Sequence, residues 1–312
     1  QRSISGAVHK PRAKDVRSAV ETALRTQDCT GAELAFFGGS FTAIRRKYLL
    51  ELLGAASPYV REGRLGGIRV STRPDAVGPE VLALLKNAGV TAIELGAQSM
   101  DDAVLQQNGR GHTAQQVEEA SQRIRGMGFV LGLQMMTGLP GDTDFGARET
   151  LERLLALGPD TIRIYPTIVL EGTPLAEQYR AGRYQPPALE EAVALCAQLL
   201  LRCHRAGVPV IRLGLHAGGE VQAGYLAGPR HPAFRELCEG ELYYQRALAA
   251  LQAALPQGGP AVLAVAPRAV SQMTGQRRAN LRRLKAQGFD CRIQPDAGLK
   301  KYEIAIRLER QR

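Results

Sequence analysis

The sequence predicts an α/β fold, either a (β/α) barrel or a doubly wound sheet, followed by a small α+β module. Three observations carry this. Short apolar runs alternate with amphipathic helices from about residue 15 to residue 215. Glycines close the helices, and polar, glycine-bearing loops follow the strands. The positive charge is concentrated in the last 45 residues.

Charge-free apolar runs occur at Leu34–Phe37, Ile93–Leu95 and Val130–Met136, with more mixed runs at Ile68–Ser71, Thr161–Tyr165 and Val208–Leu213. Runs of this kind read as parallel strands buried on both faces. Helical patterns lie between them at Ala13–Arg25, Lys47–Ala56, Pro79–Ala88, Thr113–Met127, Ala147–Leu157 and Leu189–Ala206. Thr113 with Gln116 fits a capping box, and Gly89, Gly128, Gly158 and Gly207 sit at helix C′ positions. The loops after the strands read GGSFT, TRPDAVG, GAQSMDD, TGLPGDT and PTIVLEGT. In a barrel these loops share one rim, where active sites lie. Tight βα turns explain their glycines, but not why Arg73, Asp75, Glu94, Gln98 and Gln134 all fall near strand ends.

After a glycine-rich loop from 218, a helix is predicted at about Ala233–Leu255, then a linker, PQGGP. A compact unit follows. It has a strand at 262–266, a helix at Arg268–Met273, the turn Gly275-Gln-Arg-Arg278, a helix at Arg278–Gln287, and strands near Asp290–Gln294 and Tyr302–Leu308. This order resembles the core of a KH-type RNA-binding module, whose GxxG loop grips nucleic-acid backbone. Arg278 stands in place of the second glycine. Arg277, Arg278, Arg282, Arg283 and Lys285 are the candidate RNA-binding residues, since phosphate contacts need only cations. A basic, solvated face is the other reading. The domains expected are a barrel over 1–217 with its first strand and cluster loop missing, a loop, helix and linker over 218–260, and the basic KH-like module over 261–312.

The chain has 312 residues and is 45% hydrophobic, enough for a large core. Its net charge of +10 is uneven: residues 268–312 hold twelve Lys/Arg and four Asp/Glu, a net +8. An anionic partner fits that end. No apolar run is long enough for a membrane span, and the opening QRSISGAVHKPRAK has no signal-peptide core. The five cysteines, Cys29, Cys196, Cys203, Cys238 and Cys291, are odd in number and widely spaced, with no C-x2-C pair. That argues for a reducing, cytoplasmic setting and offers no metal site. No Ser/His/Asp set or paired-carboxylate catalysis is visible. His112 reads as a neighbour of a helix cap, and His231 lies in a glycine-rich loop; both read more readily as structural than as catalytic.

The ordered motifs FFGGSF (36–41), STRPD (71–75), IELGAQS (93–99), GRGHT (109–113), LQMMTGLPGDT (133–143) and RIYPTIVLEGTPL (163–175) resemble the radical S-adenosylmethionine superfamily, and within it the relatives of the Elongator catalytic subunit. The resemblance runs from Gln1 to about Phe234. With AGPRHPAFREL (227–237) and the C-terminal module, it is nearest to short bacterial members without an acetyltransferase domain. It implies a partial, TIM-like barrel of six β/α units. It implies a 4Fe–4S cluster on a C-x3-C-x2-C loop, S-adenosylmethionine bound to that cluster, an electron donor, and a 5′-deoxyadenosyl radical from reductive cleavage; in such enzymes the cofactor supplies the hard chemistry. By resemblance, Gly38, Gly39 and Ser40 match the motif that binds the amino group of S-adenosylmethionine. Ser71, Arg73 and Asp75 match positions near its ribose or carboxylate, an Arg fork suiting a carboxylate; an Arg73–Asp75 salt bridge is the alternative. Glu94, Gln98, Gln134 and Met136 are expected to line the same pocket, with Arg163 and Tyr165 near the adenine and substrate. Glu94, inside an apolar strand, needs a partner if buried.

The three cluster cysteines are absent here. In relatives the last is followed almost at once by a stretch like QRSISG, residues 1–6 of this chain, so the cluster ligands are expected upstream of Gln1 and this chain is expected to be inactive by itself. Three functions stay open: a radical enzyme acting on tRNA or other RNA, the same chemistry on a small molecule, and a non-enzymatic RNA-binding protein on a degenerate barrel. No residue identifies a porphyrin substrate.

Overall fold

A computed structural model describes residues 10–215 and 223–308. The QRSISG stretch, the start of the glycine-rich loop at 218 and the last four residues lie outside the described residues. The chain divides into two compact units: residues up to Pro186 with Cys203–Gly228, and Pro187–Arg202 with the residues from Pro229 onward.

The first unit is built on a six-stranded parallel sheet. Its strands are β1 (Glu33–Phe36), β2 (Gly67–Thr72), β3 (Val90–Gln98), β4 (Val130–Thr137), β5 (Thr161–Pro166) and, after the two-residue β6 (Val169–Leu170), β7 (Val210–Leu213). The sheet order is β1-β2-β3-β4-β5-β7. A doubly wound sheet reverses its strand order at a switch point, and this one never does. Right-handed crossovers in one direction put every helix on the same face, so the sheet is a curled partial barrel, as expected.

The first unit's helices are α1 (Ala13–Thr26), α2 (Arg46–Arg61), α3 (Pro79–Asn87), α4 (Asp102–Gln107), α5 (Ala114–Gly126), α6 (Asp144–Ala156) and α7 (Pro174–Arg180). The short α4 and α7 were not expected from the sequence. Thr113 and Gln116 form the capping box of α5, and the four C′ glycines take positive φ between 63° and 86°. Ile68, Leu82, Leu85, Ile93, Leu95, Leu131, Leu133 and Ile164 are fully buried. Those on the strands alternate with more polar residues on the other face, which is the concave one, while Leu82 and Leu85 lie on α3. The pair β6 and β8 (Tyr225–Ala227) is antiparallel.

Helix α8 (Leu189–Arg205) has residues in both units. The second unit also holds α9 (Phe234–Ala254), β9 (Gly259–Val265), α10 (Val270–Thr274), α11 (Ala279–Ala286), β10 (Phe289–Pro295) and β11 (Ile304–Leu308). Its sheet order is β10-β9-β11, with β10 parallel and β11 antiparallel to β9. The β-α-turn-α-β-β order matches the expectation. The place of α9 differs from it. This helix belongs to the module rather than to a connector: Asn280 Nδ2 donates to Gly240 O at 2.8 Å, and the Tyr302 N–H donates to Tyr243 Oη at 2.8 Å. Tyr302, expected to open the last strand, instead takes a left-handed turn at φ 66°. Its hydroxyl donates to Glu239 at 3.2 Å, and Lys301 pairs with the same carboxylate.

Candidate functional site

The strand registers stack the concave face in rows. One row holds Ala35, Arg69 and Ala92; the next Ser71, Glu94, Gly132 and Thr161; the next Gly96, Gln134, Arg163 and Arg212; the last Met136 and Tyr165. The structure therefore brings Ser71, Glu94, Gln134, Met136, Arg163 and Tyr165 onto one surface.

Glu94 anchors it. Its side chain is 1% exposed, and both oxygens are taken: Arg69 Nη1 donates at 2.6 Å and Arg163 Nε at 3.0 Å. A carboxylate this buried is tolerable only when paired. Arg69 also donates to Glu33 at 2.7 Å, and Thr91 donates to the other Glu33 oxygen at 2.8 Å. The result is a lateral chain of ion pairs from β1 to β5. It passes over β4 because Gly132 has no side chain: a Cβ there would lie 2.3 Å from Glu94 Oε2. The contribution of Glu94 to the site is thus to hold two guanidiniums. Arg163 also makes a long 3.5 Å contact to the Tyr165 hydroxyl and lies 4.7 Å from the Phe37 ring centroid. Burial works against its charge, but Tyr165 and Glu94 outweigh it and raise its pKa.

Gln98 ends β3 at φ 69°, past a bulge between Gly96 and Gln98. Left-handed backbone at a non-glycine residue is strained, and strain of this kind gathers at functional sites. Gln134 Nε2 donates to its side-chain oxygen at 3.2 Å. Beneath the bulge, His112 Nε2 bonds Ala97 O at 3.0 Å, and burial lowers its pKa. His231 Nδ1 accepts from the Ala233 N–H at 3.1 Å. Both histidines serve the backbone.

Arg73 grips Asp75 through two bonds, 2.9 and 2.7 Å, so this expected pair is satisfied within its loop. Gly38, at φ 98°, opens the glycine loop with Gly39 and Ser40. Phe41, just beyond, stacks on Phe36 with centroids 4.6 Å apart, and the Thr42 and Thr72 hydroxyls join the loop to β2.

Arg110 was not among the expected ligands, although it stands in the GRGHT motif. Its Nη2 lies 3.4 Å from Met136 Sδ, and it forms no ion pair among the described residues. Burial of its head lowers its pKa. Phe37 was also missed; it is half exposed at the end of β1.

The residues present fit S-adenosylmethionine better than they fit the cluster. The concave face offers a left-handed glycine, hydroxyl and amide donors, and an unpaired guanidinium for a carboxylate. Among the described residues no group of three His, Cys, Asp or Glu side chains could hold a metal. Cys29, Cys196, Cys203 and Cys238 are buried. Burial pushes the Cys238 thiol up, and pushes Cys291 up to about 11. Cys238 lies against Cys196, but no set of three such side chains meets among the described residues, so these thiols do not fit an iron–sulfur cluster, whose ligands are thiolates.

In the second unit the five candidate cations separate. Arg283 is tied to Glu241 at 2.5 Å and lies 3.5 Å from the Tyr244 ring centroid. Lys285 stands 4.0 Å from Asp290, both well exposed. Arg277, Arg278 and Arg282 form no ion pair among the described residues. Arg277 and Arg278 both take left-handed backbone, φ 50° and 63°.

The chain matches the Radical SAM superfamily over residues 2–154 and the Radical_SAM C-terminal domain over residues 159–244. It is 31% identical over 137 residues to a tRNA uridine(34) acetyltransferase of Methanocaldococcus jannaschii, which is 43% of this chain and 25% of that protein. It is 33% identical over 140 residues to Elongator complex protein 3 of Homo sapiens, again 43% and 25%. The matched stretch thus spans about a quarter of each relative. The archaeal Methanocaldococcus infernus Elp3 with an N-terminal deletion shares the fold at TM-score 0.61 and 21% identity, covering 75% of this chain and 63% of that one.

Proposed function

Because the chain belongs to the radical S-adenosylmethionine superfamily, we propose that its concave sheet face binds S-adenosylmethionine and that it is the barrel body of an enzyme acting on RNA. The observation that carries the binding half is Arg110, a cation on the rim without an ion-pair partner among the described residues, packed against Met136. A guanidinium left without a carboxylate suits the amino-acid carboxylate of that ligand. Gly38 and Gly39 let backbone N–H groups approach it closely, Ser71 and Gln134 offer polar contacts, and the strained Gln98 places its amide at the strand end. S-adenosylmethionine, when bound, supplies the 5′-deoxyadenosyl group that carries the radical in this superfamily. The side chains of this chain bind and orient it; its thiols do not fit the cluster, and no cleavage is assigned to them.

The RNA half rests on Arg277, Arg278 and Arg282 in the second unit and on the tRNA uridine named for the first relative. Cations without protein partners are free to meet phosphates.

Titration calorimetry with S-adenosylhomocysteine tests the binding half. Binding by the 312-residue chain is expected, with roughly tenfold weaker affinity in Arg110→Met. Absence of binding to the wild-type chain would end the proposal. With S-adenosylmethionine and dithionite, the 312-residue chain is expected to release no 5′-deoxyadenosine above a protein-free control. Sustained release would show that a cluster is held by means the cysteines do not suggest.

A further inference from the structure

The first two helices of the first unit begin on cations. Arg12 and Arg45 are the N-cap residues of α1 and α2, and a guanidinium has no acceptor with which to cap. By contrast α4, α5, α6 and α7 start on Asp101, Thr113, Thr143 and Thr173, whose side chains accept from first-turn N–H groups. The first turn of α2 then adds Arg46 and Lys47 and no acid. Cations there face the positive end of the helix, so the placement costs helix stability.

Two contacts bring the beginnings of these helices together. The Tyr48 hydroxyl donates to the Pro11 carbonyl at 2.5 Å, and the Ala13 N–H donates to Glu51 at 3.2 Å. Lys10, Arg12 and Lys14 therefore stand beside Arg45, Arg46 and Lys47. All six are exposed, and none has an ion pair among the described residues. The acids among them are Asp15 and Glu51, and Asp15 is taken by the Arg12 backbone N–H at 2.7 Å. The two stretches thus hold six cations and two acids. The chain up to residue 267 carries only +2, the total of +10 less the +8 of the last 45 residues, so the rest of that span is net acidic. The cluster also lies on the rim. The loop from β1 to α2 opens on Phe37, passes Gly38 and Gly39, and ends at Arg45. Phe37 is 51% exposed, with the Arg163 guanidinium 4.7 Å from its centroid.

We propose that Lys10, Arg12, Lys14, Arg45, Arg46 and Lys47 form an RNA-docking surface on the first unit, which takes the phosphates of a single strand, and that Phe37 stacks on a base of that strand at the edge of the concave face. The inference rests on the reading that the chain acts on RNA, and gives the barrel body its own share of the contact. Unpaired cations supply attraction for a phosphate backbone without regard to sequence. An exposed aromatic ring beside them is the further part that single strands use, because every base has a face to stack. An acidic polypeptide would meet the cations and leave the ring without a use.

The test is fluorescence anisotropy of a labelled, short single-stranded RNA titrated with the full chain between about 50 and 200 mM salt. The triple variant Arg45→Gln, Arg46→Gln, Lys47→Gln is expected to lower the log–log salt slope by roughly 2, at about 0.7 per lost phosphate contact. Its melting temperature should equal or exceed that of the wild type, since it removes cations from a helix N-terminus. Arg45→Lys with Arg46→Lys should keep both affinity and slope. Phe37→Leu should weaken binding at least about fivefold at every salt concentration and leave the slope alone. Should the triple variant fail to fold, Lys10→Gln with Lys14→Gln touches no N-cap and is expected to lower the slope by roughly 1.4. Wild-type affinity and slope in the glutamine variants overturn the inference and leave RNA binding to the second unit. Loss of binding in the lysine variant also overturns it. An unchanged Phe37→Leu, or displacement of the RNA by poly-L-glutamate as readily as by unlabelled RNA, overturns the choice of a nucleic-acid strand and assigns the cations to an acidic polypeptide. A wild-type chain that binds no RNA at the lowest salt overturns the broader reading together with this one, an outcome distinct from the others.

Discussion

Arg163 on the barrel floor and Arg278 in the second unit are both guanidiniums on regular elements, yet they are used in opposite ways. Arg163 is mostly buried, bonded to a buried carboxylate and in contact with an aromatic ring. Arg278 stands in left-handed backbone at the start of a helix, without an ion pair among the described residues. The difference separates charges tied to a buried partner from charges that meet no ion-pair partner among the described residues. The first kind contributes to stability. The second kind costs stability where it stands in left-handed backbone.

Substitutions can break this contrast or sharpen it. The largest effect is expected at the floor. Glu94→Leu leaves Arg163 without its carboxylate and Arg69 with only Glu33, and should cost about 3–5 kcal/mol in urea unfolding. A loss below about 1 kcal/mol would mean that the floor does not depend on its ion pairs. Gly132→Ala should cost about 1–3 kcal/mol, because the new methyl group enters the space of the Glu94 carboxylate and both must shift. In the second unit the sign should reverse. Arg277→Gly and Arg278→Gly each relieve a left-handed position and should stabilise the chain by about 1 kcal/mol. The same changes should flatten the dependence of single-stranded RNA binding on salt, by roughly 0.7 in the log–log slope per lost phosphate contact. Unchanged RNA binding with raised stability would remove the second unit's proposed role while leaving its strain unexplained.

Much of the barrel was legible because period and punctuation agree. The apolar runs, the Thr113 cap and the C′ glycines all describe the same alternation. The motif loops also pointed to the rim on which the proposed site is built. What the sequence could not show are partnerships between distant positions. Glu94 in an apolar strand demanded a partner, but nothing local pointed to Arg69 and Arg163, or to Gly132 as the gap between them. Arg73 and Asp75 are near neighbours, so their mutual bond was a visible alternative. Arg110 stands in the GRGHT motif, but only the fold shows its guanidinium against Met136 with no ion-pair partner among the described residues. In the module, counting cations could not separate Arg283, tied to Glu241 on α9, from Arg282 one residue before it. Tyr302 read as a strand residue because an aromatic before alternating apolar residues usually is one; its bonds to Tyr243 and Glu239 hold it in a turn instead.

That last attachment bears on how the module could be inherited. The turn before β11 is held by Tyr243 and Glu239, the first turn of α11 by Gly240 through Asn280, and the outer face of α11 by Glu241. All four anchoring residues lie within one stretch of α9, which precedes the compact segment the sequence marks off. A gene fragment cut at the PQGGP stretch would carry the sheet and leave its fastenings behind. Transfer of this module between proteins by recombination should therefore preserve breakpoints ahead of Phe234, and chimaeras joined at the apparent linker should be recovered only when the recipient supplies a helix of its own.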